Sequence, residues 1–259
     1  MNRILTLAIC LAPAVLAQEK TMDCNEDGGH WRDRGHYCEM REVSIPAGGQ
    51  LDVDGGTNGG ISIKGANRND ILVRSKVEAY QDDEGESRQL AAAVRVEAST
   101  GRVRATGPSV TKHGWSVSYE IFVPLRTDLT LRTHNGGISI SGVQGRTQFE
   151  AVNGGVSLKE LSGSVEGHTT NGGLHLELAS DHWDGDQCNV STTNGGVTIV
   201  VPSNYSAHLE TGTVNGGVRI DFPVTVQGEI NRHIALDLGS GGRLVRATTT
   251  NGGVRVERM

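Results

Sequence analysis

A short acidic stretch carries the side chains with the clearest capacity to bind a ligand. Asp181, Asp184 and Asp186 lie beside His182 and Trp183 in one polar run. Carboxylate oxygens are the ligands that Ca²⁺ prefers, and the face of an exposed tryptophan can pack on a sugar ring. The stretch is therefore a weak candidate for a calcium or sugar site. The alternative is a polar loop that bulges from the fold and binds nothing.

Two cysteines near the start of the chain form the next candidate pair. Cys24 and Cys38 are separated by 13 residues in a segment rich in glycine, histidine and charge. In an exported protein such a pair typically forms a disulfide. The alternative is a metal site that adds His30 and His36, although these spacings match no compact zinc pattern. Cys188 has the inward parity of its strand, which predicts a buried thiol without reactivity.

Motifs of known catalytic chemistry are not found in the sequence. There is no Gly-x-Ser-x-Gly elbow, no phosphate-binding loop and no His-Glu-x-x-His pair, and the nine histidines are scattered. We therefore expect no catalytic residue, no cofactor and no metal.

The elements that must position all these residues are built on one repeated tripeptide. Asn-Gly-Gly recurs seven times, with its asparagine at Asn58, Asn135, Asn153, Asn171, Asn194, Asn215 and Asn251. Asparagine and glycine adopt positive φ at little cost, so the tripeptide fits a tight corner. We expect the asparagine side chains, as at Asn135, Asn153 and Asn171, to stack at successive corners and to bond to backbone there, and each following glycine to have positive φ.

An alternating pattern follows every corner. The first and third residues after it are apolar, as in Val156 and Leu158, and the residue between them is polar, as in Ser157. This period of two is typical of a strand with one buried and one solvated face. The polar column reads Ser62, Ser139, Ser157, His175, Thr198, Arg219 and Arg255.

The spacing of the corners predicts an all-β repeat fold. Asn135, Asn153 and Asn171 are 18 residues apart, which leaves room for two short strands and two turns. We therefore predict a parallel β-solenoid of stacked rungs of about 18 residues. Asn-Gly is also a strong hairpin signal, so an antiparallel β-meander remains the alternative.

Two irregular intervals are interpreted within the same scheme. The 77 residues from Asn58 to Asn135 would hold about four rungs without the motif, and the 36 residues from Asn215 to Asn251 would hold two. The alanine-rich stretch from Gln89 to Val94 would be a surface loop with a short helical turn.

The chain divides into three predicted parts. Residues 1–17 resemble a secretion signal, with Arg3 before an apolar run too short to span a membrane. Residues 18–42 form the cysteine-containing segment, and residues 43–259 form the repeat domain. The formal net charge of −6 argues against nucleic acid and anionic membranes as partners. We expect an exported protein, periplasmic or at the cell surface, without membrane insertion.

A resemblance to a bacterial family is carried by residues 118–142, SYEIFVPLRTDLTLRTHNGGISISG, and by the rungs that follow them. That family consists of β-strand-repeat proteins of unknown function described as "putative adhesins". The resemblance covers residues 43–259 and implies a β-solenoid-like head exposed at the bacterial envelope. It implies no catalytic residues.

Two functions are compatible with these patterns. The first is a non-catalytic, adhesin-like envelope protein that binds a surface polymer or a protein ligand. The second is a carbohydrate-active β-helix enzyme, which needs carboxylates that project from one face of neighbouring rungs. The outward column of serine, histidine, threonine and arginine does not provide them, so the sequence favours the binding protein.

Overall fold

The computed structural model describes residues 22–24, 35–110, 114–223 and 232–259. The predicted signal at 1–17 and much of the 18–42 segment lie outside these ranges. Within them, no helix has the length and apolar character needed to span a membrane.

The described chain is almost entirely β-structure. It contains one helix, α1 (Glu84–Ala93), and twenty strands. The strands are β1 (His36–Pro46), β2 (Gln50–Asp54), β3 (Ile61–Ala66), β4 (Asp70–Tyr80), β5 (Arg95–Ser99), β6 (Arg102–Thr106), β7 (Gly114–Pro124), β8 (Asp128–Asn135), β9 (Ile138–Ser141), β10 (Gln144–Asn153), β11 (Val156–Lys159), β12 (Ser162–Asn171), β13 (Leu174–Glu177), β14 (Gln187–Asn194), β15 (Val197–Val201), β16 (Ala207–Asn215), β17 (Val218–Ile220), β18 (His233–Leu238), β19 (Leu244–Asn251) and β20 (Val254–Arg258). The all-β class predicted from the alternation is confirmed.

The strands form two sheets of ten, joined by the Asn-Gly-Gly corners. Sheet A has the order β1-β4-β7-β3-β9-β11-β13-β15-β20-β17, and sheet B has the order β18-β16-β19-β14-β12-β10-β8-β2-β6-β5. Each corner therefore carries the chain from a strand of sheet B to a strand of sheet A. One hydrophobic core lies between the two sheets.

The strands on either side of the corners pair in parallel. In sheet B, Asn153 pairs with Asn135 on one side and with Asn171 on the other. In sheet A, Val156 pairs with Ile138 and Leu174. The antiparallel alternative is wrong for these strands. It describes the sheet margins instead, where β1, β4, β5 and β18 have antiparallel neighbours, so both sheets are mixed.

The rungs do not stack in chain order at the C-terminal end. Asn251 lies between Asn194 and Asn215, because β19 pairs with both β14 and β16. After β17 the chain adds the antiparallel strand β18 and then returns to insert β19 and β20. The prediction of two successive rungs in the 36-residue interval is wrong. The interval is long because the chain leaves the stack and comes back one place earlier.

The 77-residue interval is also not a set of four rungs. Asn58 and Asn135 belong to neighbouring rungs, since β2 pairs with β8 and β3 with β9. The residues between them make one further parallel layer from β6 and β7 and add an antiparallel strand outside it in each sheet, β4 in sheet A and β5 in sheet B. Strand β1, which precedes Asn58, pairs with β4 and ends sheet A. This excursion covers the N-terminal end of the stack, where an uncovered sheet edge would otherwise be available for pairing.

Helix α1 is longer than the helical turn predicted for Gln89–Val94, and it is packed rather than solvated. The Asp83 carboxylate accepts a hydrogen bond from the Glu86 backbone N–H at 2.8 Å and caps the first turn. Leu90 and Ala91 are buried in the core. At the other end, Arg41 of β1 donates to the carbonyl oxygens of Ala91 and Val94, which fastens the helix to sheet A.

The alternating columns place their apolar members inward, as the sequence predicts. Leu158 and Ile199 are fully buried, and Val156 is 2 % exposed. The columns are less well buried at Val218 and Ile220, because β17 is the edge strand of sheet A. Burial of β-branched side chains in every rung provides the main stabilisation of the stack.

Candidate functional site

The seven corner asparagines form one continuous ladder of side-chain hydrogen bonds. The Asn153 amide nitrogen donates to the Asn135 side-chain oxygen at 2.8 Å, and Asn171 donates to Asn153 at the same distance. The order continues through Asn194, Asn251 and Asn215 at one end and Asn58 at the other. The side chains stack at successive corners as predicted, but they bond to one another along an exposed edge, and the predicted bonds to backbone are wrong.

The ladder has a direction. Every amide nitrogen donates toward the N-terminal rung, from Asn215 to Asn251 and finally from Asn135 to Asn58. The bonds point the same way and so polarise one another. The Asn58 amide N–H groups are left at the donor end, and the Asn215 side-chain oxygen is left at the acceptor end.

The first glycine of each corner is required by a close contact between rungs, and Gly252 is the one corner glycine of this kind with positive φ, at 157°. Gly136, Gly154 and Gly172 are absent from the residues with positive φ, so that expectation is wrong. A Cβ on Gly154 would lie 2.0 Å from the Gly136 carbonyl oxygen, and one on Gly172 would lie 2.1 Å from the Gly154 oxygen. Only a residue without a Cβ allows the corners to stack at this separation.

Buried threonine side chains form hydrogen bonds to the corners of neighbouring rungs, and they were not identified from the sequence. The Thr192 hydroxyl donates to the Gly172 carbonyl oxygen at 2.8 Å. Thr169 and Thr249 donate in the same way to the first glycine of the corner before theirs in the stack. These side chains satisfy carbonyl groups that the tight corner leaves inside the core. A signal was present, because threonine stands two residues before the asparagine at five of the seven corners: Thr133, Thr169, Thr192, Thr213 and Thr249.

A long groove runs beside the ladder on the outer face of sheet A. Its floor follows the second glycine of successive corners, and its wall is the polar column that includes Ser62, Ser139 and Ser157. The groove has a volume of about 760 Å³ and crosses the rungs from β7 to β15. It exists because glycine and serine place no bulk over the sheet there.

The groove is uncharged along its length. Its lining contains His175 but no aspartate, glutamate, lysine or arginine. Met22 lies at the groove. Tyr119 also lines it, and burial, with a smaller effect of the Asp54 carboxylate, raises the pKa of the Tyr119 hydroxyl well above its usual range. A neutral surface of this kind suits an uncharged ligand that lies across several strands.

The polar column becomes charged only beyond the groove. Arg255 and Arg219 both donate to the Asp221 carboxylate, at 2.9 Å and 2.5 Å. Hydrogen bonds from Arg255 and Arg219 lower the pKa of Asp221. The Glu257 carboxylate, 2.7 Å from Arg255, supplies the second negative charge, so the two arginines are balanced at the C-terminal end of sheet A.

A second, polar groove of about 450 Å³ crosses the outer face of sheet B. Arg132, Glu150 and His168 line it together with Ser191. The His168 ring bonds to the Ser191 hydroxyl at 2.9 Å and to the Thr193 hydroxyl at 3.1 Å. Both ring nitrogens are thus engaged by hydroxyl groups, which fixes the ring as part of the sheet surface.

The tryptophan of the acidic stretch is buried, which corrects the expectation of an exposed ring. Trp183 is 3 % exposed, and its indole N–H donates to the Gly163 carbonyl oxygen at 3.0 Å. The Asp184 carbonyl oxygen accepts a hydrogen bond from the Gly163 N–H. The extra residues of this rung therefore fasten it to the rung before, and the ring is not available to a sugar.

The acidic side chains of that stretch remain on the surface without a common centre. Asp181, Asp184 and Asp186 are exposed. Asp181 bonds to the adjacent His182 ring at 2.6 Å, and this contact lowers the pKa of the Asp181 carboxyl. Within the described ranges, no group of three or more histidine, cysteine, aspartate or glutamate side chains could hold a metal ion.

The three cysteines within the described residues divide into one bonded pair and one thiol. Cys24 and Cys38 are joined by a disulfide, which ties the N-terminal segment to β1. Cys188 is free and fully buried, and burial raises its pKa to about 12. A thiol of this kind is a core side chain and not a nucleophile.

Comparison with solved structures finds neighbours of similar length but low similarity. A "putative cell adhesion protein" from Clostridium sporogenes has 12 % identity and a TM-score of 0.45, over 86 % of this chain and 100 % of its own. A "putative adhesin" from Bacteroides fragilis has 10 % identity and a TM-score of 0.40, over 86 % and 97 %. A "putative lipid binding protein" from Parabacteroides distasonis has 12 % identity and a TM-score of 0.34, over 85 % and 96 %.

Comparison with protein families gives a clearer result. No curated protein matches the chain. The family described as Toastrack DUF4097 matches residues 42–257, which include every corner and both sheets. The chain is a member of the Toastrack DUF4097 family.

Proposed function

We propose that this protein is a non-catalytic binding protein of the bacterial envelope, built as a stiff β-solenoid. The groove beside the asparagine ladder holds an extended, uncharged polymer that lies across the rungs. The ladder and the glycine contacts keep the rungs at a fixed separation, so the groove keeps its shape when it is empty. A preformed site avoids the cost of ordering the protein when the ligand binds.

The groove itself is the observation that carries the proposal. It is continuous from β7 to β15, is lined by small side chains such as Ser139 and Ser157, and contains no charged side chain. Ser62, Ser139 and Ser157 lie on neighbouring strands and place three hydroxyl groups about 4.8 Å apart, which can form equivalent bonds to successive units of a repeating ligand. Glycoside hydrolysis typically requires a pair of carboxylic acid side chains, and the described lining of the groove has none.

Export from the cytoplasm is part of the same proposal. The disulfide between Cys24 and Cys38 supports it, because such bonds persist in oxidising compartments. The apolar N-terminal run of the sequence supports it as well. Fractionation of cells that produce the full chain would show whether the protein remains in the periplasm or reaches the cell surface.

A sedimentation assay with insoluble envelope polymers tests the binding role. Purified mature protein is mixed with peptidoglycan, cellulose or chitin, and the bound fraction is measured. Ser139→Arg places a long cation in the groove and should reduce binding at least about tenfold, since it removes contacts worth more than 1.4 kcal/mol. Ser139 is exposed, so the variant should keep its melting temperature.

Ser164→Arg is the matched control, because Ser164 has outward parity on β12 of sheet B, opposite the groove. Equal binding by the wild type and Ser164→Arg, with loss in Ser139→Arg, supports the groove. Equal loss in both variants, or none in either, contradicts the proposal.

A further inference from the structure

A small cavity lies at the donor end of the asparagine ladder. It has a volume of about 250 Å³ and is formed by the first corner, Pro108 and Val110 after β6, and the start of β7. Asp54, Asn58, Pro108 and Trp115 are among its lining residues. The cavity adjoins the end of the groove, because Ser116 lines the cavity and Ser118 lines the groove two residues further along β7.

The cavity occupies the place where the next corner of the ladder would be. A Cβ on Gly59 would lie 2.2 Å from the Val117 carbonyl oxygen of β7. At the other corners the corresponding neighbour is the carbonyl oxygen of a glycine. No asparagine follows in that direction. The Asn58 side-chain oxygen accepts from Asn135, while no described residue accepts a hydrogen bond from the Asn58 amide nitrogen.

The walls of the cavity combine an aromatic ring and a carboxylate. The Trp115 indole N–H is used by the Pro108 carbonyl oxygen at 2.9 Å, and the ring packs closely against Gly107. The tryptophan therefore has a fixed position, with no free donor. Asp54 accepts from the Gly56 backbone N–H at 2.8 Å, which leaves its second carboxylate oxygen for another donor.

We propose that this cavity binds an acetamido group of an N-acetylated sugar, at the end of the glycan that lies in the groove. The carbonyl oxygen of the acetamido group accepts from the Asn58 amide nitrogen and so continues the ladder by one member. The methyl group and the apolar face of the sugar pack on Trp115. A sugar hydroxyl or the acetamido N–H donates to Asp54.

The inference rests on the proposed function for its polymer and adds the chemical class of its terminal unit. An amide carbonyl is the natural partner here, because every hydrogen bond of the ladder is accepted by the oxygen of a primary amide. Aromatic rings favour the apolar faces of sugars, and aromatic side chains with few polar groups are typical of such sites.

Calorimetric titration of the mature protein with two oligosaccharides tests the inference. The probes are a short oligomer of N-acetylglucosamine and a glucose oligomer of the same length and linkage. The N-acetylated oligomer should bind at least about tenfold more tightly, as expected for one additional hydrogen bond together with the methyl contact. Saturation transfer should reach its acetamido methyl protons.

Asn58→Asp is the decisive variant, because it keeps the oxygen that accepts from Asn135 and removes the free donor. It should reduce the preference for the N-acetylated oligomer to near unity. Asn215→Asp introduces the same charge at the opposite end of the ladder and should retain the preference. Melting temperatures of both variants establish that they are folded.

Three results would each overturn the inference. The first is equal affinity for the two oligomers, and the second is a preference that survives in Asn58→Asp. The third is tighter binding of a blocked N-acetyl peptide than of the N-acetylated oligomer. The test also separates the cavity from the groove. Loss of polymer binding in Ser139→Arg, with an N-acetyl preference that Asn58→Asp does not change, retains the groove and rejects the cavity. The reverse pattern retains the cavity and rejects the groove.

Discussion

The Gly136 carbonyl oxygen lies 2.0 Å from the position that a Cβ on Gly154 would occupy. The same contact recurs from corner to corner, and it makes the first glycine of each tripeptide a steric requirement. The second glycine is different. A Cβ on Gly155 would lie 3.5 Å from the Gly173 oxygen, which is an ordinary van der Waals distance.

Gly154→Ala should therefore destabilise the protein by about 1–3 kcal/mol, as overpacking in a rigid structure does. Gly155→Ala should change stability by less than about 1 kcal/mol, because it meets no clash and restricts the unfolded chain. Urea denaturation of the two variants measures the difference. Equal midpoints would show that the contact between rungs does not determine the corner sequence.

The threonine below each corner should contribute through its hydroxyl group. Thr192→Val keeps the volume and leaves the Gly172 carbonyl oxygen without the 2.8 Å bond. The free energy of unfolding should fall by about 1–3 kcal/mol, the cost of an unsatisfied buried acceptor. Thr192→Ser keeps the hydroxyl and should lose less. If serine proves the more damaging replacement, the methyl group and not the bond is what matters.

Trp183 should affect stability and not ligand binding. Trp183→Ala removes a buried ring and should lower the free energy of unfolding by about 3–5 kcal/mol. Trp183→Phe retains most of the packing and loses only the bond to the Gly163 carbonyl oxygen, so its cost should be smaller. Thermal unfolding measures both. The opposite result would be a Trp183→Phe variant that is as stable as wild type and no longer binds a calcium ion or sugar that wild type binds. It would show that the acidic stretch has a ligand-binding role.

Cys188 should be protected from alkylation in the folded mature protein. Burial raises its pKa to about 12, so the thiol stays protonated and inaccessible at pH 8.5. Iodoacetamide should modify it only in denaturant, as mass spectrometry can measure. The unfolded chain ionises this thiol near its usual pKa of about 8.5, so the free energy of unfolding should fall as pH rises above that value. Rapid alkylation without denaturant would contradict its burial.

The local pattern of the sequence predicts the faces of the strands but not their order. Alternation assigns Leu158 and Ile199 to the core correctly, because the period of a strand is fixed by its geometry. The position of Asn251 between Asn194 and Asn215 is not predictable in the same way. All corners have the same shape and chemistry, so any corner can stack on any other, and chain order does not select among them.

The candidate site shows the same limit. The serines of the groove are identifiable from alternation, since Ser139 and Ser157 fall on the outward parity. The cavity at Asn58 is not, because it depends on Trp115, which lies 57 residues further along the chain and reaches the first corner only through the pairing of β7 with β3. Trp183 is misassigned for a related reason, since its partner Gly163 belongs to the preceding rung.

The central claim is that the corners are structural and the groove beside them binds the ligand. Affinity for the polymer that wild-type protein sediments with, measured for Asn153→Ser and Ser139→Arg beside their melting temperatures, tests it most directly. The account predicts that Asn153→Ser, which loses a ladder bond on each side, melts at a lower temperature and binds as wild type does. It predicts that Ser139→Arg melts as wild type does and binds at least about tenfold more weakly. A stable Asn153→Ser that no longer binds, together with a Ser139→Arg that binds normally, would contradict the account and assign binding to the asparagine edge.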